Sequence, residues 1–193
     1  NADVISISQE ASKSCIQVFF YRSKQNWGNQ SYFPSHDKSH TPEEVLTSFI
    51  TQFYENKNVP AEILLNKKIN DLNLIKSALE KKEEKFISIK VAVKGNALKL
   101  LRMAEKNAKE ALTRKIFESE TNIKLLDQVA DKFKLNTSPR TVEVFDNSHI
   151  QGSNSVGALI VFSSEGFIKK RYRKFNIKNK ELNNGDDYGM LKE

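Results

Sequence analysis

The chain has 193 residues, 38% of them apolar and 28% charged, enough for a substantial core in one large domain or two small ones. Thirty-one Lys and Arg outnumber 24 Asp and Glu, and the net charge of +7 points to a polyanion-binding surface, although such an excess also serves solubility alone. The single cysteine, Cys15, excludes an internal disulfide framework and a cysteine-rich zinc site, and no apolar run reaches the roughly 18 residues of a membrane span.

No charged-then-apolar signal opens the chain, so a soluble cytosolic protein is expected. A start at Asn1 rather than Met reads as a piece of a longer or processed protein. Residues 4–7 alternate weakly, and Cys15–Tyr21 reads as a buried strand of aromatic and branched residues. Asn26-Trp27-Gly28-Asn29 is a turn signal, and the short strand 30–33 after it, ended by Pro34, completes a hairpin. Thr41, Pro42 and Glu44 are an N-cap, a first-turn proline and the far end of a capping box, opening a helix with Val45, Phe49, Ile50 and Phe53 on one face. A strand over 62–65, a helix over 71–82 and a longer alternating strand over 86–93 follow.

Gly95-Asn96 then starts a helix to about Phe117, with Ala97, Leu101, Ala104, Ala108 and Leu112 as its apolar stripe. Lys99, Arg102, Lys106 and Lys109 lie on another face, a DNA contact surface or simply a solvated one. A second helix over 121–133 and a turn at 136–139 lead to a strand over 141–145, closed by Asp146. A polar loop over 147–155, a strand over 156–162, a turn and a third strand over 167–177 form a meander, and Asp186-Asp187-Tyr188 begins a last helix.

Several side chains in the tail suit chemistry on phosphates. Asp146 stands where an open sheet places its ligands, although an Asp there also caps loops. Asp186 and Asp187 are hard oxygen donors suited to Mg²⁺ or Mn²⁺, and equally suited to capping a helix. The order of strand-end Asp, meander and helix-leading Asp lets two separated carboxylates converge on one cation. Lys169, Lys170, Arg171, Arg173 and Lys174, interleaved with Tyr172 and Phe175, are either phosphate contacts or lysines protecting an edge strand. The three histidines have no metal-ligand spacing, His149 and Cys15 read as a loop and a core residue, and the lone Gly95 is weak support for a phosphate turn.

The ordered segments Val142-Glu143-Val144-Phe145-Asp146-Asn147-Ser148-His149-Ile150-Gln151-Gly152, then 156–162, Tyr172-Arg173-Lys174-Phe175-Asn176-Ile177 and Gly185-Asp186-Asp187-Tyr188-Gly189-Met190 closely resemble the UvrC family, the nuclease subunits of bacterial nucleotide excision repair. Upstream, Val18-Phe19-Phe20, 28–34 and 103–108 resemble the same family's central homology region. The resemblance implies an RNase H-like endonuclease domain that makes the 5′ incision beside a lesion. In it Asp146 and Asp187 are the catalytic, metal-holding carboxylates, and Tyr172, Arg173 and Lys174 belong to a basic motif assigned to DNA backbone contact. It also implies damaged double-stranded DNA and the UvrB helicase subunit as partners, the latter through a segment absent here, and a bacterial cytoplasmic setting without a membrane. Ala92 and Ala97 depart from the family's proline and basic residue, which counts against phosphate binding at Gly95.

The expected architecture is α/β: a mixed sheet with flanking helices followed by the N-terminal part of an RNase H-like fold. Residues 1–118 would form the central homology region, 119–138 a helical connector, and 139–193 the start of the endonuclease domain. The family's third catalytic Asp, later His, helix-hairpin-helix module and GIY-YIG nuclease are not in the sequence, so the chain alone is expected to be nearly inert. Two rival readings are a non-catalytic DNA-binding or interdomain scaffold and a basic single-strand-binding module with exposed aromatic strands.

Overall fold

The computed structural model describes residues 1–150, 153–178 and 186–192, and these divide into two units, 1–116 and 117–193. Gln151 and Gly152, which fall in the expected loop over 147–155, the His149 side chain and Gly185 lie outside the described residues. No helix of the structure is long and apolar enough to cross a membrane, among the described residues.

The first unit is built on a five-stranded mixed sheet in the order β3-β2-β1-β4-β5. Strands β1 (Ala2–Glu10), β2 (Lys13–Arg22) and β3 (Gln25–Tyr32) form an antiparallel meander. Parallel to β1 runs β4 (Glu62–Leu65), and parallel to that β5 (Ser88–Val91). Parallel neighbours need crossovers, here the helices α1 (Pro42–Phe53) and α2 (Leu72–Glu83).

Strand alternation divides the core between the sheet's two faces. Ile5, Ile7, Ile16, Val18, Ile63 and Leu65 meet Val45, Leu46, Ile50 and Phe53 of α1 and Leu79 of α2. On the other face, Val4, Phe19 and Leu64 meet Leu101 and Ala104, and Cys15 meets Ala108, Ala111 and Leu112, all on α3 (Gly95–Lys132). Burial on both faces explains why β1 and β2 read as apolar runs with little alternation.

Several local readings hold to the residue. The Thr41 hydroxyl accepts from the Glu44 amide at 3.3 Å, and the Glu44 carboxylate accepts from the Thr41 amide at 2.7 Å, closing the capping box. That amide bond holds the Glu44 carboxyl below its usual range. At the other end of α1, Lys82 Nζ donates to the carbonyls of Tyr54, Glu55 and Lys57 at 2.6–3.0 Å, satisfying groups that a helix end leaves open.

Other expectations are corrected. The expected hairpin, between β2 and β3, turns at Ser23-Lys24, both at positive φ, with Arg22 paired to Gln25. Two such residues give the loop whose twist matches the flanking strands. Asn26–Asn29 therefore lies inside β3, where Gly28 at φ 121° absorbs the irregularity as a bulge instead of a reversal. The strand expected over 86–93 is four residues long, with Phe86 and Val93 exposed. The two helices expected over 96–133 are one 38-residue helix. No Gly or Pro interrupts 117–121, and Ser119 is buried with its hydroxyl donating to Glu165 at 3.1 Å.

Cys15 is fully buried, and desolvation pushes its thiol up to about 11. Unfolded, it ionises near 8.5. Between these values the unfolded state loses a proton that the folded state keeps, so stability should fall as pH rises, by about 1.4 kcal/mol per unit. Tyr54, raised by burial and by the charge of Asp3, continues the trend above the usual phenol range. Urea midpoints measured from pH 8 to 11 should decline, and Cys15→Ala should flatten the first part of the decline.

Candidate functional site

The second unit carries a sheet whose central strand is β7 (Ser153–Ser163). On one side β7 pairs antiparallel with β6 (Thr141–Ile150), and on the other with β8 (Gly166–Phe167) and β9 (Arg173–Asn176). The loop expected over 147–155 is thus largely strand, and Asp146 stands inside β6 rather than at its end: Asp146, Asn147 and Ser148 continue the ladder opposite Ala158, Gly157 and Val156. The third strand expected over 167–177 is broken by a 3-10 turn, Lys169–Arg171, so those three cations leave the strand.

Register sorts the candidate residues by face. Asp146, Ala158 and Lys174 form one cross-strand row, and Asn147, Gly157 and Phe175 form the next, on the opposite face. The final helix, α4 (Asp187–Lys192), packs on the Asn147 face. Met190 is buried there, and a cavity of about 250 Å³ is lined by Phe145, Asn147, Gly157, Phe175 and Met190 among others. A side chain at Gly157 would come within 3.1 Å of the Asn147 amide oxygen, so the glycine leaves room for that amide.

Asn147 Nδ2 donates to the backbone carbonyl of Asp187 at 3.1 Å. The bond joins residues 147 and 187, 40 apart in the chain, with Asp146 on the far side of the pleat from it. Asn147 carries no signal in the sequence beyond its place beside Asp146. Asp186 is spent differently: its carboxylate accepts from the Gly189 amide at 2.9 Å and caps α4. Asp146 and Asp187 are exposed, and neither carboxylate has a hydrogen bond or ion pair among the described residues. No group of three His, Cys, Asp or Glu suited to a metal occurs among the described residues.

The basic residues separate in the same way. Arg171 pairs with Glu143 at 2.6 Å, and Arg173 donates to the carbonyls of Lys170 and Tyr172 at 3.0 and 2.8 Å. Both guanidinium groups thus hold the 3-10 turn in place. Lys169 and Lys170 project from that turn into solvent, and Tyr172 beside them is half-buried. Lys174 is exposed, without an ion-pair partner among the described residues, and is the cation that shares a face with Asp146. On α3, Lys99, Arg102, Lys106 and Lys109 are all exposed, away from the buried stripe, and Lys106 faces Glu110 at 3.9 Å.

Residues 1–115 match the family profile described as the UvrC ribonuclease H-like domain, and residues 130–193 match that described as the UvrC RNase H endonuclease domain. The RNase H-like description thus extends to residues expected to form the family's central homology region, outside the endonuclease domain. Among curated relatives, the UvrABC system protein C of Bradyrhizobium diazoefficiens is 48% identical over 192 residues, those of Chelativorans sp. 46% and Brucella abortus 45%. Each alignment covers 100% of this chain but only 28%, 29% and 31% of the respective relative. Matched by these profiles and similar to such relatives along its whole length, the chain belongs to the UvrC family.

Proposed function

We propose that the chain contributes the first part of a 5′-incision site to an excinuclease acting on damaged duplex DNA alongside the UvrB helicase subunit. The observation that carries the reading is the Asn147–Asp187 bond, which seats the start of α4 against the strand bearing Asp146. Because β6 is the outer strand of its sheet among the described residues, a carboxylate beginning beside Asn147 has one strand edge to pass to approach Asp146.

The donor set fits a hard divalent ion. Two exposed carboxylates without other partners suit Mg²⁺ or Mn²⁺, which keep several waters and accept phosphate oxygens. Such an ion, when bound, activates water and offsets charge on a scissile phosphate. The protein's own part is placement. Ala158 is small and exposed between Asp146 and Lys174, leaving a shallow slot about two strand spacings, roughly 10 Å, wide. A phosphate seated there would meet the Lys174 ammonium on one side and, on the other, a cation that Asp146 would hold, since the bare carboxylate repels it. Mn²⁺ titration followed by electron paramagnetic resonance tests the reading: binding should weaken in Asp146→Asn and in Asp187→Asn. Equal binding in wild type and both variants would refute it.

A second reading, DNA contact by the first unit, is favoured by the four exposed cations of α3. Replacing Lys99, Arg102 and Lys109 by Glu should weaken duplex binding and reduce the slope of log K against log salt by up to about three. An unchanged slope would show that phosphates are met elsewhere.

A further inference from the structure

We propose that Trp27 is a stacking platform for an unpaired nucleobase, presented at the edge of the first sheet by the bulge in β3. The proposal rests on the reading that DNA is the partner, and extends it to a base contact far in sequence from the carboxylates. Trp27 is the chain's one tryptophan and is 73% exposed. An indole left in water on an otherwise well-packed sheet forgoes the burial that its apolar rings would gain.

Its local backbone is built, not slack. Tyr21 pairs with Asn26 and Phe19 with Asn29, so Phe20 alone faces both Trp27 and Gly28. Gly28 takes φ 121°, where other side chains are strained, and its amide donates to the Asn26 side chain at 2.8 Å. A bulge of this kind redirects a side chain out of the strand's regular alternation. Trp27 thereby stands on an edge strand between Asn26 and Gly28, the two residues that this hydrogen bond joins.

The surroundings identify the ligand class. From Ala11 to His36 there is no Asp or Glu, while Lys13, Arg22 and Lys24 are present. Arg22 is committed to Asp3, but Lys24, at the hairpin turn, is exposed. Uncharged amide residues, Gln25, Asn26, Asn29 and Gln30, stand on either side of Trp27 in the sequence. An acid-free, amide-rich strand with an exposed indole and a nearby ammonium suits a base on its phosphate backbone, since every base offers a π-face to an aromatic ring. Inside a duplex those faces are already stacked, so the ligand is a single-stranded or extruded base.

The 193-residue chain carries its own reporter, the emission of Trp27. Titration with a thymidine oligomer of about ten nucleotides should quench it, and a duplex of equal length should not. Read by the anisotropy of a dye-labelled oligomer, Trp27→Ala should weaken binding about 10-fold, Trp27→Phe should retain most of the affinity, and Trp27→Leu should resemble alanine. The salt slope should stay constant across the three, because no phosphate contact is removed. The exposed position predicts wild-type circular dichroism and melting for each variant. Oligomer binding without quenching, or leucine binding as well as tryptophan, would overturn the proposal, the latter by marking an apolar docking surface. No binding to either nucleic acid would overturn it together with the DNA reading, whereas loss of Mn²⁺ binding alone leaves it standing.

Discussion

In a full-length protein carrying this sequence, Asp146→Asn is expected to reduce 5′ incision at least about 100-fold while DNA binding persists. Asparagine keeps the shape of the side chain and its place opposite Ala158, and removes only the charge and one oxygen donor. Asp187→Asn should act in the same direction. Asp186→Asn should change incision only a few-fold, because that carboxylate caps α4 through the Gly189 amide and asparagine caps nearly as well. This asymmetry within a two-residue acidic pair is the discriminating feature. A reading in which both acids merely favour the helix N-terminus predicts equal, small effects. Lys174→Met should also lower incision, and more than Arg173→Met, since Arg173 is turned toward the carbonyls of Lys170 and Tyr172.

The second large effect concerns folding. Asp3 lies on the central strand of the first sheet, 1% exposed, with one oxygen 2.7 Å from Arg22 and the other accepting from the Tyr54 hydroxyl at 2.7 Å. Arg22 also donates to the carbonyls of Ala2 and Tyr21, so it ties the first strand to the end of the second. Arg22→Met would leave a buried carboxylate with one neutral donor. The expected loss is about 3 kcal/mol, or a melting temperature lower by roughly 10 °C. Tyr54→Phe removes one hydrogen bond and should cost less, about 1–2 kcal/mol. In an Asp3→Asn background Arg22→Met should be much milder, because no charge is then stranded. Equal costs in both backgrounds would mean that Arg22 stabilises through its backbone contacts and not through the ion pair.

Much of this was legible in the residues themselves. The capping box at Thr41 and the bounds of β4 depend on interactions within a few positions, and local patterns carry them. The stripe from Leu101 to Leu112 is likewise a property of one helix. What was misread depends on partners distant in the chain. Asn147 and Ser148 look like loop residues, and they become strand because Gly157 and Val156 lie opposite. Asn26–Asn29 carries turn chemistry, yet pairing with β2 moves the reversal to Ser23-Lys24. The single long helix shows the converse: Glu118-Ser119-Glu120 is polar enough to suggest a break, but Ser119 has a hydrogen-bond partner at Glu165.

At the candidate site, sequence singled out Asp146 and Asp187 by residue type, order and family resemblance. The resemblance alone chose Asp187 over Asp186, and nothing in the sequence separated Arg171, Arg173 and Lys174. That division comes from register and from hydrogen bonds, which only the folded backbone fixes. The buried pair of Asp3 and Arg22 went unnoticed for a related reason: an acid in an apolar strand is informative only when its partner is known.

Paramagnetic broadening of backbone amides by substoichiometric Mn²⁺ addresses the shared cation most directly. Resonances from 145–147 and from 187–189 should fade together in the wild-type chain, and both groups should survive in Asp146→Asn. Broadening of one group without the other, or broadening that persists in the variant, would contradict a metal held jointly by these two carboxylates.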